Sequence, residues 1–154
     1  MPTIASDTII VYVFRRFGII SQYLMLRKGH STANVRDWEP FLGDLAEGET
    51  AVAAAIREIR EKLGLRVISL WALDGVHMNY DAATDRINLS PILAAEVDSE
   101  DAQSVTSGAD SRWITFKQAM DLIAQPSMRE EMNRVHPDVV KADDRGSRYR
   151  IPMP

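Results

Sequence analysis

GDLAEGETAVAAAIREIREKLGL, residues 43–65, is the stretch on which the fold turns. Its second half, AVAAAIREIREKL (51–63), is built of helix formers, and Gly64 stands where a helix is expected to stop. Ala53, Ile56, Ile59 and Leu63 carry the expected apolar stripe at helical spacing. On such a helix Glu58 and Glu61 lie three apart and share a face with Lys62, four residues from Glu58. Carboxylates crowded on one face repel each other unless a divalent cation sits among them. Hard Mg²⁺ favours a few carboxylates together with water and substrate phosphates. Arg57 keeps its proton and can grip a carboxylate with two parallel bonds, which suits it to pin a loop at Glu49 onto the helix. An ordinary charge-paired helix gives no reason for Gly43 and Glu49 at these distances.

Upstream, DTIIVYVFRRF (7–17) and IISQYLMLRK (19–28) are rich in β-branched and aromatic residues and meet at Gly18, the pattern of a hairpin. GHSTANVRDWEPF (29–41) reads as a loop and GDLAEGET as a turn. Downstream, LRVISLWAL (65–73) and GVHMNY (75–80) are two strand candidates, followed by the turn DAATD. RINLSPILAAEV (86–97) reads as a long strand in which Pro91 predicts an edge or a bulge. DSEDAQSVTSGADS (98–111) is a loop, and RWIT (112–115) a short strand. Thr115 and Gln118 have the spacing of a capping box over FKQAMDLIA. Pro126 breaks the chain, Ser127 is placed to cap a last helix, MREEMNRV, and residues 141–154 read as a poorly ordered tail or one laid on the surface. Strands and helices in this order predict one domain over 1–154, an α/β or α+β sandwich in which helices cover a mixed sheet.

Bulk properties narrow the function. The 154 residues are 45% hydrophobic and 26% charged, as in an ordinary globular protein. A net charge of −4 leaves no basic footprint for nucleic acid. With no cysteine and no pair of histidines at ligand spacing, disulfides, thiol nucleophiles and a zinc site are not expected. No apolar run approaches the length of a membrane span, and MPTIASDTII lacks the features of a signal peptide, which makes the cytoplasm the default expectation.

Gly43, Glu49, Arg57, Glu58, Ile59, Glu61, Gly64 and Leu65 together resemble the signature of the Nudix hydrolases. That signature runs Gly, five residues, Glu, seven residues, Arg-Glu-apolar-any-Glu-Glu-any-Gly-apolar. Eight of its nine specified positions agree; the ninth is Lys62. Just upstream, WEPFLGDLAEGE is similar to the form found in dihydroneopterin triphosphate pyrophosphatases and their relatives. The resemblance covers residues 7 to 135. It implies the Nudix fold, a mixed sheet between helices, and hydrolysis of a nucleotide-type pyrophosphate with Mg²⁺ or Mn²⁺. Carried over by position, Glu58 and Glu61 are the metal ligands, and Glu49 and Arg57 complete the catalytic set. Family habit adds a homodimer.

The sequence departs from the pattern at Lys62, where the family commonly has a metal-binding glutamate, and at Ala46. A late Glu-His pair common in relatives is replaced by Ser107 and Gly108; the nearest acids are Glu96, Glu100, Asp101 and Asp110. Lys62 is open to three roles: a solvated partner of Glu58, a repulsive charge that leaves a nearly inactive nucleotide-binding module, or a contact to substrate phosphates. Arg27 and Lys28 fit a phosphate clamp or a solvated strand end, and Trp38 fits a stacking platform or loop packing. His30 has the reach to contact a phosphate. Trp71 and Trp113 are expected in the core, His77 and His136 as ordinary strand or surface residues, and Arg148 and Arg150 as solubilising charge.

Overall fold

The computed structural model describes residues 1–27, 38–100, 111–142 and 149–153. Lys28, His30, Asp101, Ser107, Gly108, Asp110 and Arg148 therefore lie outside the described residues. After β1 (Thr3–Ala5), the hairpin expected at Gly18 is present as β2 (Thr8–Phe17) and β3 (Ile20–Arg27). Their antiparallel register runs from Phe14↔Tyr23 to Phe17↔Ile20, and Gly18 turns the chain at φ 58°. Next come two short strands, β4 (Trp38–Glu39) and β5 (Phe41–Asp44). Sequence patterning places a loop and turn here. Strand β5 exists because Phe41–Asp44 finds a partner in Thr8–Val11, far back in the chain, a pairing no local signal announces.

Helix α1 (Ala51–Leu63) is capped by the Thr50 side chain and closed by Gly64 at φ 68°. Its buried residues are Ala54, Ala55, Glu58, Ile59 and Leu63, so the covered stripe is rotated from the expected one. Ala53 is exposed and Ile56 half-buried. The two strand candidates after the helix are one long strand, β6 (Val67–Asp81). A register shift between Ala72 and Val76, with Gly75 at φ 90°, lets it continue past the apparent break. β6 pairs with β7 (Arg86–Val97), which also runs parallel to β1 and β2. Pro91 faces Val76 at the end of that irregularity, and on the other side it falls between the stretch paired to β1 and the stretch paired to β2. Its missing N–H thus costs no ladder bond.

Strand β8 (Ser111–Ile114) returns to β3, and the capping box on α2 (Phe116–Leu122) is formed at Thr115 and Gln118 as the spacing predicts. Helix α3 (Pro126–Val135) begins two residues earlier than expected. Pro126 occupies the first turn and Ser127 lies inside the helix, because proline at that position lacks only an N–H that would be unpaired anyway. A π-helical turn (His136–Val140) follows, and β9 (Arg150–Ile151) lays the tail against β6 at Leu70 and Trp71.

The result is a mixed sheet between two helical layers. On one face Ile59 and Leu63 of α1 pack on Ile9, Val11, Val13, Leu93 and Ala95. On the other, Met128, Met132 and Val135 of α3 pack on Ile10, Tyr12, Phe14 and Ala94. Alternation along β2 and β7 supplies both cores from the same strands. No helix among the described residues is long and apolar enough to cross a membrane.

Candidate active site

Gly43, within β5, brings its backbone close against α1. A Cβ at Gly43 would stand 3.1 Å from Ile9 Cγ1 and 3.4 Å from Glu58 Cγ. Any side chain there would press on both the core and the carboxylate, which accounts for glycine at a position whose φ is unexceptional. Glu58 itself is only 3% exposed, a carboxylate set in the apolar stripe of its own helix. A charge in such a place must be paired or coordinated.

Arg57 gathers the acids. Its Nε and Nη2 donate to Glu49 Oε2 and Oε1 at 2.7 and 2.8 Å, a two-pronged contact that fixes the loop to the helix. Nη2 also donates to the Asp44 carbonyl at 3.0 Å, and Nη1 to Glu58 Oε1 at 3.0 Å and Glu61 Oε2 at 3.3 Å. The backbone N–H of Ala46 donates to Glu49 Oε1 at 3.0 Å. The hydrogen bond from Arg57, helped by that of Ala46, holds the Glu49 carboxyl down to about 2. Burial pushes Glu58 up, but Lys62 and Arg57 outweigh it and leave its carboxyl below the ordinary range.

Lys62 reaches across the same face. Its Nζ lies 2.8 Å from Glu58 Oε2 and 3.5 Å from Asp44 Oδ2. The closer contact is off the line of a hydrogen bond, and Glu58 Oε2 is buried with no aligned donor. Contact with Glu58 raises the Lys62 ammonium above its ordinary value, so the group is a cation at any physiological pH. About half of its side chain is exposed, which leaves the head a path to solvent.

The structure thus brings together Glu49, Arg57, Glu58, Glu61 and Lys62. It adds Asp44, which sequence reasoning passed over although it directly follows Gly43. Arg27 and Trp38 are brought to each other, with the guanidinium 6.0 Å from the indole centroid. Trp38 is 7% exposed within the core on the α3 face, and Arg112 covers its ring at 5.1 Å. Of the two roles open to Trp38, burial describes packing. Trp71 is buried in the same core; Trp113 packs at the edge of the other, under Arg15. Glu96 alternates with Ala95 and Val97, which face α1, and so lies on the opposite face, where it pairs with Arg16 at 3.4 Å.

Among the described residues no three acidic or histidine side chains converge on a metal-sized space. The donor set nonetheless fits a hard cation that takes one or two carboxylates and fills its remaining positions with water and phosphate. Glu58 supplies a buried, ionised oxygen without an aligned donor, and Glu61 a half-exposed carboxylate on the same face.

Because Glu49 is depressed from an ordinary 4.5 to about 2, its pairing contributes stability in full above pH 4.5. That contribution fades as pH falls through about 2. Urea denaturation of Glu49→Gln beside wild type is expected to show a gap at pH 7 that narrows steadily below pH 4.5. A gap independent of pH would rule out the ion pair as its source.

Solved structures with this fold are numerous. The Ap4A hydrolase of C. elegans superposes with a TM-score of 0.62 at 17% identity, covering 89% of this chain and 98% of that one. The dihydroneopterin triphosphate pyrophosphohydrolase of E. coli gives 0.62 at 19% identity, with 88% and 95% covered. The Nudix domain of Shewanella oneidensis NrtR, solved with ADP ribose, gives 0.65 at 14%, with 89% and 88% covered. No curated protein matches at the level of sequence. The family model described as NUDIX domain matches residues 6–139, which contain every residue of the Arg57 cluster. The chain belongs to the Nudix family of pyrophosphohydrolases.

Proposed function

We propose that the protein hydrolyses the pyrophosphate linkage of a nucleoside or pterin di- or triphosphate derivative, with Mg²⁺ or Mn²⁺ held by Glu58 and Glu61. The observation that carries this reading is the buried Glu58 carboxylate, ionised and pressed against Gly43, with one oxygen met by the half-exposed ammonium of Lys62, which can swing away to solvent. A bound divalent cation would screen the pyrophosphate charge and activate a water for in-line attack. Around it, Arg57 keeps Glu58 and Glu61 turned to one side and holds the Glu49 loop in place. Gly43 allows backbone and substrate to approach closely. Lys62, drawn off Glu58, has the length and charge to contact a phosphate oxygen, and Arg27 and Lys28 are further cations for the same purpose. Ap4A, dihydroneopterin triphosphate and ADP ribose, named with the fold relatives, all join phosphates through anhydride bonds. The same reading takes the protein as cytoplasmic and as a homodimer acting on a small molecule, with no nucleic acid or membrane partner.

One observation favours a second reading, that of a nucleotide-binding module with little activity. Lys62 already neutralises the oxygen that the cation needs. The two are separated by incubating purified protein with Mg²⁺ or Mn²⁺ and a broad panel of nucleoside and pterin di- and triphosphate derivatives. Metal-dependent release of phosphate or nucleotide from some member is the expected result. A panel that binds without turnover selects the second reading.

A further inference from the structure

Helix α1 covers only part of its side of the sheet. Along β7 the residues beneath it alternate as Leu93, Ala95 and Val97, and the same alternation carries Ile87 and Leu89 onto that side. The register sets Tyr80 of β6 opposite Ile87 and Met78 opposite Leu89, and β1 adds Ile4 beside Ile87. Val76 continues the row at Pro91. Ile4 and Met78 are 66% exposed, Tyr80 55% and Val76 54%, while Ile87 and Leu89 are half-buried. None of the six belongs to either core. The other side of the same strands is closed: His77 alternates with Val76 and Met78, and its Nδ1 meets Glu131 Oε2 of α3 at 2.6 Å.

These six side chains expose on the order of 600 Å², the upper end for an apolar patch on a monomer. Two copies closing on the patch would bury about 1,200 Å², the area at which specific interfaces begin. A flat sheet face of alternating side chains fits a second such face, the two packing about 10 Å apart. A two-fold axis sets the patch against itself, and because it holds no charge the copies meet no like charge there, although each chain carries −4. A lipid surface is the poorer match. Asp74, Asp81 and Asp85 flank the strands, Tyr80 Oη donates to Asp85 at 2.8 Å, and anionic headgroups repel such acids. Edge pairing is guarded against as well. Among the described residues β9 reaches only Leu70 and Trp71, but a bulge between Ala72 and Val76 and acids at positions 74 and 81 protect the rest of the β6 edge.

We propose that two copies of this chain associate through this face, sheet against sheet, with Met78 and Leu89 in the middle row. This gives the homodimer named above its surface, rests on that part of the reading, and leaves the chemistry of the Arg57 cluster independent of it.

Sedimentation equilibrium of the purified protein over a concentration series is the test. A dimer with a dissociation constant on the order of micromolar is expected, the weak end for an interface of this size. Met78→Glu places a carboxylate in the middle of the face and is expected to weaken the dimer at least a hundredfold. Because Met78 is exposed in the single chain, the circular dichroism of that variant should stay that of wild type. Should the strand misfold all the same, Tyr80→Lys is expected to weaken the dimer at least tenfold. Ile19→Glu, at the exposed turn between β2 and β3, is expected to leave it intact. A protein that is monomeric at every concentration overturns the proposal, as does a dimer that withstands both substitutions in the face or yields equally to Ile19→Glu. A monomer that floats with phosphatidylcholine vesicles also overturns it and assigns the face to a lipid surface. Turnover of the nucleotide panel, read on the same samples, keeps the two readings apart: an active monomer loses this interface alone, and a dimer without turnover loses the hydrolase reading alone.

Discussion

Glu58→Gln is expected to lower kcat/KM by about a thousandfold or more, a loss of about 4 kcal/mol of transition-state stabilisation. Glutamine keeps the shape that Gly43 packs against and an oxygen for Arg57, but it removes the buried negative charge that would bind the cation. Loss of a charge that a divalent ion must meet in a desolvated setting is among the larger single effects available to a site of this kind. Folding is expected to change little, because Lys62 is half-exposed and returns to water when its partner is neutral. Activity of the variant and wild type across a Mg²⁺ titration, with thermal melting of each, provides the check. A variant that keeps a tenth of the activity would remove Glu58 from the metal site.

Lys62→Glu is expected to act in the opposite direction. At present an ammonium sits 2.8 Å from Glu58 Oε2, and a cation entering the site must displace it. Exchanging that attraction for a carboxylate changes the local field by two charges, on the order of several kcal/mol at an effective dielectric near 20. Without metal the variant should melt below wild type, since Glu58 and the new acid repel at i,i+4. With Mn²⁺ the order should reverse, and the affinity for Mn²⁺, read by electron paramagnetic resonance, should rise at least tenfold together with turnover. Unchanged metal affinity, or a fall in turnover, would mean that Lys62 serves the substrate directly.

Legibility of the fold tracks the range over which each feature is determined. The β2–β3 hairpin, the closure of α1 at Gly64 and the capping box at Thr115 and Gln118 depend on residues a few positions apart, and all are present where the sequence placed them. Strand β5 and the unbroken course of β6 depend on partners distant in the chain, and patterning within each segment could not supply them. In the site, the box spacing located the Arg57 cluster, yet the depth of Glu58 was hidden. The covered face of α1 is chosen by where Gly43 lets the helix settle, which rotates the buried stripe onto an acid. His77 carried no signal at all, because its partner Glu131 is 54 residues away and reads as one more charge on an amphipathic helix.

The hold of Arg57 on Glu49, Glu58, Glu61 and the Asp44 carbonyl has a thermodynamic consequence. A loop that is tied down before any ligand arrives has already lost its conformational freedom during folding. Cation binding then costs little ordering entropy, and the rigid frame leaves the main adjustment to a single flexible side chain, that of Lys62. The cluster is a scaffold tied together during folding, and the half-exposed Lys62 ammonium is the group in it that an entering cation has to displace.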